Sequence, residues 1–224
     1  MAKVLFYDIE TAPNLAYVWG QYQQDVVEQH RSWYLMCFGY RWEDEKSTKV
    51  VSLTDFDLYA TEPENDREVV RVLWELFDEA DIVIAHNGDR FDMRKANARF
   101  IAHHMTPPTP VQQVDTLKVA RKYFMFNSNR LGDLGEHLGL GKKEATGGFG
   151  LWKGCMMGDN KAWQTMKKYA KQDVDLLVDV YERLRPWATS HPNRNVIDGT
   201  SHACPTCGGN KLQKRGTRKT RTMT

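Results

Sequence analysis

Asp8-Ile9-Glu10 follows Val4-Leu5-Phe6-Tyr7, a run apolar enough to be a central strand. Successive strand side chains alternate faces, so Val4, Phe6, Asp8 and Glu10 share one face while Leu5, Tyr7 and Ile9 share the other. Two carboxylates side by side at a core rim repel each other and lose hydration; a cation, a proton or open water would relieve them. A divalent metal would satisfy both, and a solvated strand end is the plainer alternative. Two further segments present acids of the same kind. Asp92 falls in the first turn of the helix expected after the buried strand Ile82-Val83-Ile84-Ala85 and the turn Asn87-Gly88-Asp89, a position the helix dipole alone would favour. Asp173 follows Tyr169 by four residues on a long helical stretch, so the two share a face, and its spacing to Leu176, Leu177, Val180 and Leu184 turns it toward the core. Together the three segments supply four carboxylates, the hard oxygen ligands that Mg²⁺ and Mn²⁺ prefer.

The elements that must position these groups can be read from periodicity. The spans 33–42 and 49–53 are rich in aromatic and β-branched residues and read as an antiparallel pair, and 64–80 carries Val69, Val70, Leu73, Trp74, Leu76 and Phe77 at helical spacing. A helix is expected over about 90–104, a strand over 111–114 leading into a helix near 117–124, and a further helix over about 130–138. The glycine-dense stretch 139–158 reads as a mobile loop, and 160–185 as the longest helix, stopped by Pro186. The span 13–32 reads as a long connection whose Tyr17, Trp19 and Tyr22 either stack on bases or cover the edge of the core. Strands, a helix, a strand and then mainly helices imply an α/β fold in which helices flank a mixed sheet, an order compatible with a ribonuclease-H-like arrangement.

The chain has 224 residues, 41% of them hydrophobic, enough for one domain with an appendage: a body over 1–187 and a linker, knuckle and tail over 188–224. It has no apolar run of about 18 residues and no basic, apolar, small-residue order at its N-terminus, so a soluble, cytoplasmic protein without a membrane partner is expected. The formal charge of +2 hides an asymmetry, because Lys211, Lys214, Arg215, Arg218, Lys219 and Arg221 crowd an acid-free tail and leave the rest net acidic. Such a tail could neutralise phosphates of nucleic acid or be merely solvated. Four cysteines are too few for a disulfide scaffold of this size.

Taken together, the motifs resemble those of the DEDD superfamily of 3′-to-5′ exonucleases. Asp8-Ile9-Glu10 matches its Asp-x-Glu motif, Asn87 through Phe91-Asp92 its Asn-x-x-x-Phe-Asp motif, and Tyr169 through Asp173 the Tyr-x-x-x-Asp motif of the tyrosine branch. The resemblance spans residues 1 to about 187. It implies that Asp8, Glu10, Asp92 and Asp173 hold two Mg²⁺ or Mn²⁺ ions about 3.5–4 Å apart, one generating hydroxide and one stabilising the leaving 3′ oxygen. Tyr169 would orient the attacking water. Thr11, Asn14 and Leu15, just past the first motif, and Asn87 and Phe91 in the second, would contact the terminal nucleotide. The implied activity is release of nucleoside 5′-monophosphates from single-stranded or frayed DNA ends, with a replication or repair protein as partner. The tyrosine motif, shared with ribonuclease D, keeps RNA open as substrate, and a non-catalytic nucleic-acid-binding adaptor is the alternative from another class.

Cys204-Pro205-Thr206-Cys207-Gly208-Gly209 resembles one knuckle of a zinc ribbon. A second Cys-x-x-Cys would be due about 15–20 residues later, beginning near position 223 where the sequence reaches Thr224. Cys204 and Cys207, with His202 as a third candidate, therefore make an incomplete Zn²⁺ site, and a chain cut before its second knuckle is the expected reading.

Overall fold

The computed structural model describes residues 2–22, 24–141, 148–199, 203–204, 209 and 211–213. The first motif lies on β1 (Val4–Thr11), the central strand of a five-stranded mixed sheet. A small hairpin follows, β2 (Leu15–Tyr17) with β3 (Glu28–Arg31), and then β4 (Leu35–Trp42) and β5 (Lys49–Ser52). Two 3₁₀ turns, Leu53–Asp55 and Asp57–Ala60, lead into α1 (Arg67–Glu79). β6 (Ile82–Ala85), α2 (Asp92–Ala102), β7 (Gln112–Asp115), α3 (Thr116–Tyr123) and α4 (Leu131–His137) come next. The chain continues through α5 (Phe149–Met156), α6 (Asn160–Leu184), a 3₁₀ turn at Arg185–Trp187 and α7 (Arg194–Asp198). Strand order is β5-β4-β1-β6-β7, with β4 antiparallel to both its neighbours and β1, β6 and β7 mutually parallel.

The alternation along β1 divides the core as the sequence predicts. Leu5, Tyr7 and Ile9 pack with Val69, Leu73 and Phe77 of α1 and with Ala96 and Phe100 of α2, whereas Val4 and Phe6 pack with Val174, Leu177, Val180 and Tyr181 of α6. Asp8 and Glu10, in phase with Val4 and Phe6, are therefore carried toward α6. Burial of these two faces is the main stabilising term, at roughly 25 cal/mol per Å² of apolar surface.

Two expectations need correction. The stretch 13–32 contains a hairpin, and its aromatic residues do not cover the core, since Trp19 is 89% exposed and Tyr17 and Tyr22 are also exposed. Within 139–158, Phe149–Met156 is helix: Leu151 and Cys155, four apart, bury themselves, and a Cβ on Gly154 would lie 2.7 Å from Ala162 Cβ. Here glycine permits close helix crossing rather than looseness. Residues 142–147 lie outside the described residues. Past residue 187, α7 docks at the opposite end of the sheet from Glu10, where the Arg194 guanidinium meets Glu43 in a fork (Nη1–Oε1 2.9 Å, Nη2–Oε2 2.5 Å) and the Ala2 amide donates to Asp198. No described helix is long and apolar enough to cross a membrane.

Candidate metal centre and adjoining cleft

Asp8 stands opposite Gly39 and Glu10 opposite Cys37 in the β1–β4 register. A side chain at Gly39 would put its Cβ 2.6 Å from the Ala170 carbonyl oxygen and 2.9 Å from Val174 Cγ2. The missing side chain lets α6 settle onto β4 directly beside Asp8. That approach delivers Asp173, buried on α6, to the two strand acids, and carboxylate oxygens of Asp8, Glu10 and Asp173 lie within 4.8 Å of one another. At that separation each like-charged pair repels by roughly 3 kcal/mol for an effective dielectric constant of about 20. Three hard oxygen donors from two rigid elements, at mutual distances one ion can span, fit a divalent cation such as Mg²⁺ or Mn²⁺.

Tyr169 lies one helical turn before Asp173 and hydrogen-bonds to its carboxylate. Burial, followed by the negative charge of Asp173 and Glu10, raises the phenol well above its usual range, so at neutral pH its hydroxyl is a donor and not a base. Its ring meets Trp152 of α5 edge-on, with centroids 6.1 Å apart.

Asp92 is placed differently from the other three acids. It is buried at the start of α2 and accepts a hydrogen bond from the Ile9 amide (3.1 Å), which ties α2 to the backbone between Asp8 and Glu10. Burial pushes its carboxyl up to about 7; the Ile9 hydrogen bond opposes that rise and the Asp115 charge adds to it. Asp92 is not in the group of three, so the structure brings together three of the four predicted carboxylates and sets the fourth beside them, on the strand's amide. Asn87 turns the chain between β6 and α2 with φ of 66°, a left-handed conformation that asparagine tolerates, and its amide donates to Asp115 (2.9 Å).

A cleft of about 420 Å³ is lined by residues that follow Glu10 and precede Asp92 in the chain and by Trp152, the ring partner of Tyr169. Thr11, Ala12, Pro13 and Asn14 form one wall, Phe91 and Lys95 a second, and Trp33, Phe149 and Trp152 complete it. Of the predicted nucleotide contacts, Thr11, Asn14 and Phe91 line this cleft; Leu15 is exposed on β2 and Asn87 stays in its turn. Asn14 also fixes the wall, its Oδ1 accepting from the Trp33 amide (2.9 Å). Trp33, Lys95, Phe149 and Trp152 were not among the sequence candidates. The i, i+3 spacing of Phe149 and Trp152 was a usable signal, obscured by the surrounding glycines. Both buried thiols are poor nucleophiles, because burial raises Cys37 and takes Cys155 up to about 12.

Cys204 is half-buried, and its amide donates to the Gly209 carbonyl (2.8 Å). Cys207, His202 and the basic residues from Lys214 to Arg221 lie outside the described residues. Among the described residues, the group able to hold a metal is Asp8, Glu10 and Asp173.

A protein-family model described as RNase_H superfamily matches residues 5–185. No curated protein matches the chain. Among solved structures it is similar to the family B DNA polymerase of the hyperthermophilic archaeon Pyrobaculum calidifontis, with a TM-score of 0.61 and 16% sequence identity. The alignment covers 83% of this chain and 25% of the polymerase, so it relates this chain to one quarter of a much longer protein.

Proposed function

This chain belongs to the RNase H superfamily, and from that premise we propose that it is a metal-dependent 3′-to-5′ exonuclease of the tyrosine branch, acting on single-stranded or frayed DNA ends. The observation that carries this reading is the gathering of Asp8, Glu10 and Asp173 within 4.8 Å, with Tyr169 beside them. Bound there, two divalent cations would supply a nucleophile at neutral pH and offset charge on the leaving oxygen. The rest falls to the chain's own residues. Asp8, Glu10 and Asp173 would hold the cations. Asp92 holds the strand between Asp8 and Glu10 in register through the Ile9 amide, and it completes the acidic set. Tyr169 keeps its proton and donates it to the Asp173 carboxylate, which leaves the phenol oxygen to accept from the attacking water and orient it.

In the reaction, water adds its oxygen to the last phosphodiester phosphorus and the P–O3′ bond breaks. The departing O3′ takes up a proton. The products are a nucleoside 5′-monophosphate and a strand one residue shorter, with a 3′ hydroxyl. The cleft beside the trio offers aromatic walls to the bases, since stacking is tolerant of sequence.

The test uses 3′-labelled and 5′-labelled oligonucleotides, as DNA and as RNA, incubated with Mg²⁺, Mn²⁺ or chelator. The expected result is early release of the 3′ label as mononucleotide, a descending ladder from the 5′-labelled strand, preference for DNA and silence in chelator. Internal cutting, or turnover that persists in chelator, would overturn the proposal.

A further inference from the structure

Lys95 is the residue of the cleft that the proposed chemistry does not use. It lies three residues beyond Asp92 on α2, and its Nζ sits 3.8 Å from the Trp33 ring centroid, 5.2 Å from that of Phe91 and 3.4 Å from Thr11 Oγ1. Burial lowers its pKa from the ordinary lysine value. Among the described residues no carboxylate pairs with it, in contrast to Lys3, Lys49, Lys118 and Lys167, each of which meets an acid. An ammonium taken partly out of water and given ring faces but no counter-ion keeps its charge available to a ligand.

The walls around it lead directly to the trio. Thr11 follows Glu10 in the chain, Phe91 precedes Asp92, and Trp152 meets the ring of Tyr169. A nucleic-acid strand held at the trio and running along these walls would bring a neighbouring phosphate, or its 3′ terminus, toward Lys95. Resting on the nuclease reading above, we propose that Lys95 is the phosphate-recognising residue of this cleft, reading a phosphate other than the one being cut. That phosphate is either a monoester at the 3′ end or the next diester upstream, and the chemistry is the same for both.

The test is a charge-deletion cycle. Wild type, Lys95→Met and Lys95→Arg are compared on three oligonucleotides: one with a 3′ hydroxyl, one with a 3′ phosphate, and one with a neutral methylphosphonate at the linkage upstream of the last. KM and kcat are measured in Mg²⁺, and equilibrium binding by fluorescence anisotropy in chelator. Lys95→Met keeps the apolar stem among the rings, so a merely structural role would weaken all three substrates alike.

The expected result is a loss of about tenfold or more in affinity from Lys95→Met, restored in large part by Lys95→Arg, on every substrate that keeps the contacted phosphate. If wild type gains from the 3′ phosphate and Lys95→Met does not, the terminal monoester is the partner. If the methylphosphonate erases the difference between wild type and Lys95→Met, the upstream diester is. Equal effects on all three substrates, or none, would overturn the proposal. Coupling seen in chelator without any cleavage in Mg²⁺ or Mn²⁺ would instead retain Lys95 as a phosphate site and remove the nuclease reading.

Discussion

Two acidic sites in this protein are satisfied in opposite ways. Asp66, fully buried at the start of α1, accepts from the Leu35 amide (2.7 Å), from Arg99 Nε (2.7 Å) and Nη2, and sits 2.6 Å from His103 Nε2. The protein supplies cationic and hydrogen-bonding partners for that carboxylate and spends it on fastening β4, α1 and α2 together. At the other site Asp8, Glu10 and Asp173 are brought against one another, with a neutral phenol alongside. The residue types are nearly the same. A carboxylate met by a guanidinium serves the architecture, whereas converging carboxylates suit a divalent cation, the role proposed for them above.

Substitution should separate the two sites cleanly. The largest effect on chemistry is expected from Asp8→Ala, which should lower metal-dependent nucleotide release by on the order of 10³-fold. Its urea stability in chelator should match or exceed wild type, because one repulsive charge is gone. Asp66→Ala should do the reverse, costing about 3–5 kcal/mol in urea melts by stranding Arg99 and His103, with the loss independent of added metal. A similar stability loss from both variants would erase the distinction between the two sites.

Tyr169→Phe removes one hydroxyl and no carboxylate. Turnover should fall by about 10²-fold while Mn²⁺ affinity changes little; comparable losses in both would make Tyr169 a support for the acids and not a guide for water.

The smallest expected effect concerns Asp92, whose folded-state pKa of about 7 lies above its unfolded value of about 3.9. The folded chain therefore holds a proton that the unfolded chain releases, and the stability this contributes is whole below about pH 4 and lost as pH rises through 7. Asp92→Asn has no such proton to lose. In chelator it should be more stable than wild type at pH 8, with the gap closing toward pH 4. A gap that does not change with pH would refute the assignment.

The strand-borne pair, the i, i+4 relation of Tyr169 to Asp173 and the inward turn of α6 were legible because periodicity in a strand or helix fixes the side-chain direction. The mixed sheet followed from the order of apolar runs. Gly39 was not legible: its value lies in a helix crossing over it, and nothing in neighbouring residues reports a contact 131 positions away, at Ala170. The cleft was missed for the same reason, since Trp33, Lys95 and Trp152 come from the β3–β4 connection and two helices that meet only after folding. Asp92 shows the limit of a motif, which locates an acid beside the others but not the Ile9 amide that claims one of its oxygens.

Whether Asp8, Glu10 and Asp173 form a metal centre is decided by titrating chelator-stripped protein with Mn²⁺ and following it by electron paramagnetic resonance. Saturation at two magnetically coupled Mn²⁺ per chain, abolished by Asp8→Ala and untouched by Asp66→Asn, is the predicted result. Absence of specific Mn²⁺ binding, or binding that survives Asp8→Ala unchanged, would contradict it.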